Sequence, residues 1–390
     1  MAAAYVRPFY KIMRNIYLDH AATTQTDPRV LAAMLPYLKE QFGNADSRYA
    51  LGRSAAAAVL SARDVIRLLI GGSGGNVYFT SCGSEANSWA LKGVCVANFG
   101  KKHTIVLSAI EHPSLLRAAE DMAVFGYNTV LVYPDGQGIV TADAVRDALS
   151  DDVAFVGVMA ANNETGIIQP ASQIYEVCRN AGAFYFCDCV QAAGTLDLSS
   201  PLGDGMSFSA HKFYGPKGVG GLWLRRNTRI ERLVSGGQQE GGMRGGTTFV
   251  AGVVGMAEAL KIACNDMEAE NARVGRLRDL FARRVLSSVR SRLGGSGRRL
   301  PSNADIAFSG CRGEQLVISL DMLNVSASTG SACSSGASKP SSVLLAMGMS
   351  EEEAASCVRF TFGRENMQRD AETAADRVIS AARDLGAQML

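Results

Sequence analysis

Short runs rich in β-branched and aromatic residues alternate along this chain with stretches whose apolar residues recur every three or four positions. The first pattern predicts buried strands and the second amphipathic helices. Strands are predicted over 77–80, 104–108, 129–133, 153–159, 184–188, 206–209 and 219–224. Helices are predicted between them, among others over 28–41, 53–70, 85–99, 114–125 and 171–181. Such alternation reads as an α/β fold, a sheet covered by helices on both faces. Ligands of such sheets bind beyond the carboxyl ends of the strands.

After Cys264 the texture changes. A long charged helix is predicted over 266–293, followed by the glycine-rich turn 294–297, a shorter strand and helix, and a last helix near 370–385. This predicts a large domain over 17–264 and a smaller α+β domain from 265–390, joined by residues 1–16. The segment 326–338 (SASTGSACSSGAS) has the composition of a flexible linker.

A length of 390 residues suits two domains. With 39 basic and 37 acidic residues the net charge is +2, which gives no general attraction to nucleic acid or to an acidic membrane. No apolar run approaches the length of a membrane span. The nine cysteines are odd in number and lack zinc-ligand spacing, so reduced thiols, a cytoplasmic setting and no metal are expected. The N-terminal segment carries Arg7, Lys11 and Arg14 but no long apolar core, unlike a secretory signal.

Several segments share one geometric prediction, the carboxyl edge of the sheet. Lys212 follows an apolar strand and precedes a Gly/Pro turn, Tyr214-Gly215-Pro216-Lys217-Gly218. A lysine held in a cleft there can form a Schiff base; it can also be a surface lysine. Asp188 ends the strand Phe184-Tyr185-Phe186-Cys187-Asp188. Alternation puts Cys187 and Cys189 on one face and Asp188 on the other. A pyridinium nitrogen would suit this carboxylate, and so would a turn that it caps. Thr80-Ser81-Cys82-Gly83-Ser84-Glu85 opens a helix after a strand, which suits a phosphate as well as a simple cap. His112 follows a strand in Glu111-His112-Pro113, and Asn162-Asn163-Glu164-Thr165-Gly166 follows another. The histidine suits acid–base work, and the second segment is at least a turn.

Taken together these segments closely resemble the group I cysteine desulfurases of the class V aminotransferase fold. The resemblance also rests on Tyr17 to Thr24 (YLDHAATT), Ser207 to Lys212 (SFSAHK), Met243 to Thr248 (MRGGTT), Ser328 to Ser335 (STGSACSS) and Val358-Arg359-Phe360, in family order. It implies fold type I of the pyridoxal-phosphate enzymes, with a mostly parallel seven-stranded sheet and a smaller domain. It implies that Lys212 holds pyridoxal phosphate and moves the substrate's α-proton, that Asp188 faces the ring nitrogen, and that His112 lies over the ring. Gln191 and Asn163 would sit near the phenolic oxygen and the substrate. Gly83, Ser84, Ser209 and His211 would cradle the phosphate, and Thr247 would reach it from the second subunit of a homodimer. Arg359 would grip the substrate carboxylate.

Cys333 would attack the sulfur of L-cysteine, giving alanine and a persulfide. An iron–sulfur scaffold or another sulfur-acceptor protein would take the sulfur onward. Selenocysteine lyase, another class V reaction and an inactive scaffold subunit are the alternatives. Arg48-Tyr49 departs from the Leu-His usual in the family, and Ser84 replaces its usual threonine.

Overall fold

The computed structural model describes residues 15–330 and 340–390. Cys333 and the basic N-terminal segment lie outside the described residues.

The described chain opens with β1 (Ile16–Tyr17), α1 (Pro28–Lys39) and α2 (Ala50–Leu69). Then come β2 (Gly75–Thr80), α3 (Gly83–Ala97), β3 (Thr104–Ser108), α4 (Pro113–Met122) and β4 (Asn128–Val132). They are followed by α5 (Ala142–Asp147), β5 (Val153–Gly157), α6 (Ala171–Asn180), β6 (Tyr185–Asp188), β7 (Gly205–Ser209) and β8 (Gly220–Arg225). Strands β2 to β8 form one seven-stranded sheet in the order β2-β8-β7-β6-β5-β3-β4. Only β8 runs against its neighbours. All seven predicted strands are present, with ends shifted by a residue or two.

Side-chain alternation gives this sheet its two faces. In β6, Tyr185 and Cys187 join one apolar layer and Phe186 joins the other. Cys187 and Cys189 share a face as expected. Phe186 packs on the side of α3, with Trp89 and Leu91, and Asp188 reaches the same side. Both faces are covered, so the strands carry nearly continuous apolar runs.

The rest of the chain comprises α7 (Val250–Leu286), β9 (Ser291–Leu293), β10 (Asn303–Phe308), α8 (Gly313–Met322), β11 (Val325–Ser326), α9 (Ser342–Ala346), α10 (Glu351–Ala355), β12 (Cys357–Thr361) and α11 (Gln368–Asp384). Strands β12, β10 and β9 form an antiparallel sheet, and β1 pairs with β11. A second core gathers Phe281, Phe308, Phe360 and Phe362 with apolar residues of α8 and α11.

Helix α7 differs from expectation. It begins at Val250 rather than 266 and ends at Leu286 rather than 293. Its first turns, VAGVVGMAEALKIA, are small and apolar and pack on α1 and α2. With almost no polar face they show no helical period, which hid them in the sequence. Beyond Leu286 the chain turns into β9. The change of texture at Cys264 therefore falls inside one continuous helix. Its first half contributes to the core of the large sheet and its second half to the other core.

Candidate active site

Every strand of the large sheet that carries a candidate residue delivers it to the same edge. Asp188 is the last residue of β6 and is 5% exposed. Its Oδ2 accepts from Asn87 Nδ2 at 2.7 Å, and its Oδ1 from the Val190 N–H at 2.9 Å. Both donors are neutral, so neither offsets a negative charge at this buried position, and a cationic ring nitrogen would complement it.

Lys212 lies one short turn beyond β7. Its Nζ donates to the carbonyls of Ala21 at 2.5 Å and Ala22 at 2.8 Å. The segment 19–24 is itself fixed over this edge. Thr24 donates through its N–H and its hydroxyl to the His211 carbonyl, both at 2.9 Å. Gln191 Nε2 donates to the Ala21 carbonyl at 3.0 Å. Residues almost two hundred positions apart thus hold the amine at one place.

His112 caps α4, where Pro113 occupies the first turn. Its Nδ1 accepts from the Ser114 N–H at 3.1 Å and lies 2.8 Å from Ser114 Oγ. Burial lowers its pKa, Asp188 opposes that shift and Lys212 adds to it. Neighbouring Glu111 is fully buried, and burial raises its pKa to about 8. Its Oε1 accepts from Ser108 Oγ at 2.5 Å and from the Met159 N–H at 2.8 Å, which ties the ends of β3 and β5 together.

The start of α3 has the features of an anion site. The first N–H groups of a helix have no intrahelical acceptor and favour anions. Gly83 is buried where a Cβ would stand 2.7 Å from Val190 Cγ2 and 3.4 Å from Ser209 Cβ. Glycine therefore lets this turn approach the ends of β6 and β7. Ser84 is exposed beside it, and His211 Nδ1 lies 3.1 Å from Thr23 Oγ1. Burial, then Lys212 and Lys217, lower the pKa of His211 to about 4. Glu85 accepts from the Ser81 N–H at 2.7 Å and forms a bidentate pair with Arg244, which fixes the turn from outside.

On the other side, Arg359 of β12 is 4% exposed. Its Nη1 donates to the Asn163 carbonyl at 2.7 Å and its Nη2 to Asp19 Oδ1 at 2.7 Å. Asn162 forms the turn that presents Asn163, with its Oδ1 accepting from the N–H groups of Glu164 and Thr165. Thr247 is exposed on this chain, in the segment before α7. Asn87 and Ser114 carry none of the signals used to choose candidates, and Asp19 lies in the Tyr17–Thr24 stretch without having been assigned a role. Asn87 hides inside a helix whose start already reads as a plain cap, and Asp19 shows its role only through a partner far away in sequence.

The donor set fits pyridoxal phosphate. An amine for its aldehyde, a buried carboxylate with only neutral donors for its ring nitrogen, and a glycine-lined helix start for its phosphate lie along one sheet edge.

The Aminotransferase class-V family matches residues 16–373. The chain is 38% identical over 363 residues, 92% of its length and 91% of the relative's, to a cysteine desulfurase IscS of Clostridium botulinum. Among solved structures it is similar to a NifS-like protein with a TM-score of 0.88 at 29% identity, covering 95% of this chain and all of that one. It is also similar to SspA in complex with cysteine, with a TM-score of 0.78 at 28% identity, covering 89% and 98% of the two chains. Both the family match and this identity span most of the chain, and the edge site carries the residue types such an enzyme requires: the chain belongs to the class V aminotransferase family and, within it, to the pyridoxal-phosphate-dependent cysteine desulfurases.

Proposed function

We propose that this protein removes sulfur from L-cysteine, releases L-alanine and holds the sulfur as a persulfide on Cys333 for delivery to an acceptor protein. The observation that carries this reading is the convergence of Lys212, Asp188 and His112 on one strand edge, with Arg359 supplied by the smaller sheet. The structure of SspA with cysteine supports the choice of substrate.

Lys212 holds the cofactor and takes the α-proton of the substrate. Asp188 holds a proton on the ring nitrogen through its charge. Gly83, Ser84, Ser209 and His211 hold the phosphate. Gln191 and Asn163 contact the ring oxygen and the substrate, and Arg359 orients the substrate carboxylate. When bound, pyridoxal phosphate supplies an electron sink that weakens the substrate's carbon–sulfur bond. The Cys333 thiolate attacks the substrate sulfur, a sulfur–sulfur bond forms, the carbon–sulfur bond breaks, and protonation of the released carbon completes alanine. His112, neutral and with one ring nitrogen fixed by Ser114, serves the proton transfers.

The working form in this reading is a homodimer in which Thr247 of each subunit completes the other's phosphate cradle. The exposed position of Thr247 on the single chain supports that arrangement. The described cysteines form no disulfide, which supports a reducing, cytoplasmic setting. Iron–sulfur cluster assembly is the proposed destination of the sulfur.

The deciding experiment measures sulfide and alanine from L-cysteine with a reductant present, for the wild type and Cys333→Ala. Equal amounts from the wild type and neither from the variant, with bound cofactor retained, support the reading. A cofactor-loaded wild type that forms neither product overturns it and makes selenocysteine the next substrate to test.

A further inference from the structure

Asn87 lies one turn into α3, only 1% exposed, between two groups of the proposed site. Its Nδ2 carries two hydrogens. One faces Asp188 Oδ2 at 2.7 Å and the other faces Ser114 Oγ at 2.9 Å. Having accepted there, the Ser114 hydroxyl has its own hydrogen for His112 Nδ1, 2.8 Å away. The Ser114 N–H donates to the same nitrogen at 3.1 Å. A ring nitrogen that receives donated hydrogens carries none of its own, so the imidazole proton resides on Nε2.

The direction of this relay is set by charge. With its amide turned over, Asn87 would present Oδ1 to the Asp188 carboxylate. In the orientation observed, Oδ1 is buried without a hydrogen-bond partner. Leaving that oxygen unpartnered is a cost, and a residue serving packing alone would not need it.

We propose that Asn87 and Ser114 are positioning residues that join Asp188 and His112 into one unit and fix His112 in the Nε2–H tautomer. The inference rests on the reading of Asp188 and His112 as cofactor contacts. The link runs one way, from carboxylate to amide to hydroxyl to imidazole. Without the Asn87 donor, the Ser114 hydroxyl is free to accept from a proton on Nδ1. His112 then gains access to its other tautomer and to its cationic form, with Asp188 favouring the cation and Lys212 opposing it.

The test is nitrogen NMR of the holoenzyme labelled at histidine. The chain has only four histidines, and His112→Asn or His112→Gln assigns the His112 signals. The wild type is expected to show an unprotonated Nδ1 and a protonated Nε2 from pH 6 to pH 8.5. Asn87→Ala and Ser114→Ala are expected to raise the His112 pKa by about one unit and to average its two nitrogen shifts. Both are expected to lower kcat about tenfold with KM for L-cysteine within about twofold. Ser114→Thr keeps the hydroxyl and should match the wild type. A wild-type proton on Nδ1, or unchanged His112 shifts and titration in Ser114→Ala, would overturn the proposal even if Asn87→Ala fails to fold. An Nε2–H His112 in a holoenzyme that forms no alanine would leave this inference standing and remove the desulfurase reading.

Discussion

Asp19 Oδ1 stands 2.7 Å from Nη2 of Arg359, joining two residues 340 positions apart. The other terminal nitrogen of the guanidinium holds the Asn163 carbonyl. A planar guanidinium fixed on both nitrogens is preorganised for a carboxylate, and less binding energy is lost to ordering it. Replacing Asp19 by Ala is therefore expected to raise KM for L-cysteine about five- to twentyfold with a smaller change in kcat, and Arg359→Lys to raise it at least as much. Steady-state kinetics of both variants check this; an unchanged KM in Asp19→Ala would show that the pair does not prepare the guanidinium.

Gly83 permits the close approach of the α3 turn to Val190 and Ser209. Ala at this position would push the turn away from the proposed phosphate. The expected result is a cofactor dissociation constant at least tenfold higher, about 1.4 kcal/mol, with the fold retained. Titration of the apoprotein with pyridoxal phosphate, followed by absorbance and fluorescence, measures it.

Glu240 links the turn before Thr247 to the large sheet. Its carboxylate, 4% exposed, pairs with both terminal nitrogens of Arg63 at 2.7 and 2.9 Å and accepts from the Phe79 N–H at 3.0 Å. Arg63 is 23% exposed, so this is a half-buried pair, and removing its carboxylate together with the acceptor of the Phe79 N–H costs about 1–3 kcal/mol. Glu240→Ala should lower the thermal midpoint markedly. If the turn also presents Thr247 to a second subunit, dimer dissociation should rise in the same variant, read by sedimentation at graded concentrations.

Asp305 offers a pH signature. It is fully buried opposite Arg359 in the register of β10 and β12. Burial, reinforced by Glu164 and opposed by Arg299 and Arg359, raises its pKa from 3.8 to about 7. The folded state thus holds a proton that the unfolded state has lost between those values. Stability from this group is present at low pH and declines as pH rises through about 7. Asp305→Asn, which mimics the protonated form, should gain on the order of 1–3 kcal/mol on the wild type between pH 5 and pH 8. Denaturant unfolding at the two pH values decides it; an equal difference between the proteins at both would mean that Asp305 does not titrate in this range.

The large sheet was legible because its strands are covered on both faces. Such strands are written as unbroken apolar runs bounded by turns, a signal that needs no partner to be seen. The start of α7 was not legible for the complementary reason: a helix buried nearly all round has no polar side from which to read a period. Lys212, Asp188 and His112 could be chosen because each ends or follows a predicted strand, so their shared edge is implied by chain order. Gly83 and Ser84 were chosen in the same way. Arg359 could not be placed from its own surroundings, since it comes from the smaller sheet and became a candidate only through resemblance.

By itself, the sequence determined the class of fold, the elements of the large sheet and the residue types available to a pyridoxal-phosphate site, because periodicity and strand-end position are local properties. Tertiary structure decided which groups are coupled. Asp19 with Arg359, and Asn87 with Asp188 and Ser114, depend on side chains that meet only after strands from distant parts of the chain have taken their order. Hydrogen bonds of that kind act over about 3 Å, and nothing in the linear chain records a distance so short between residues so far apart.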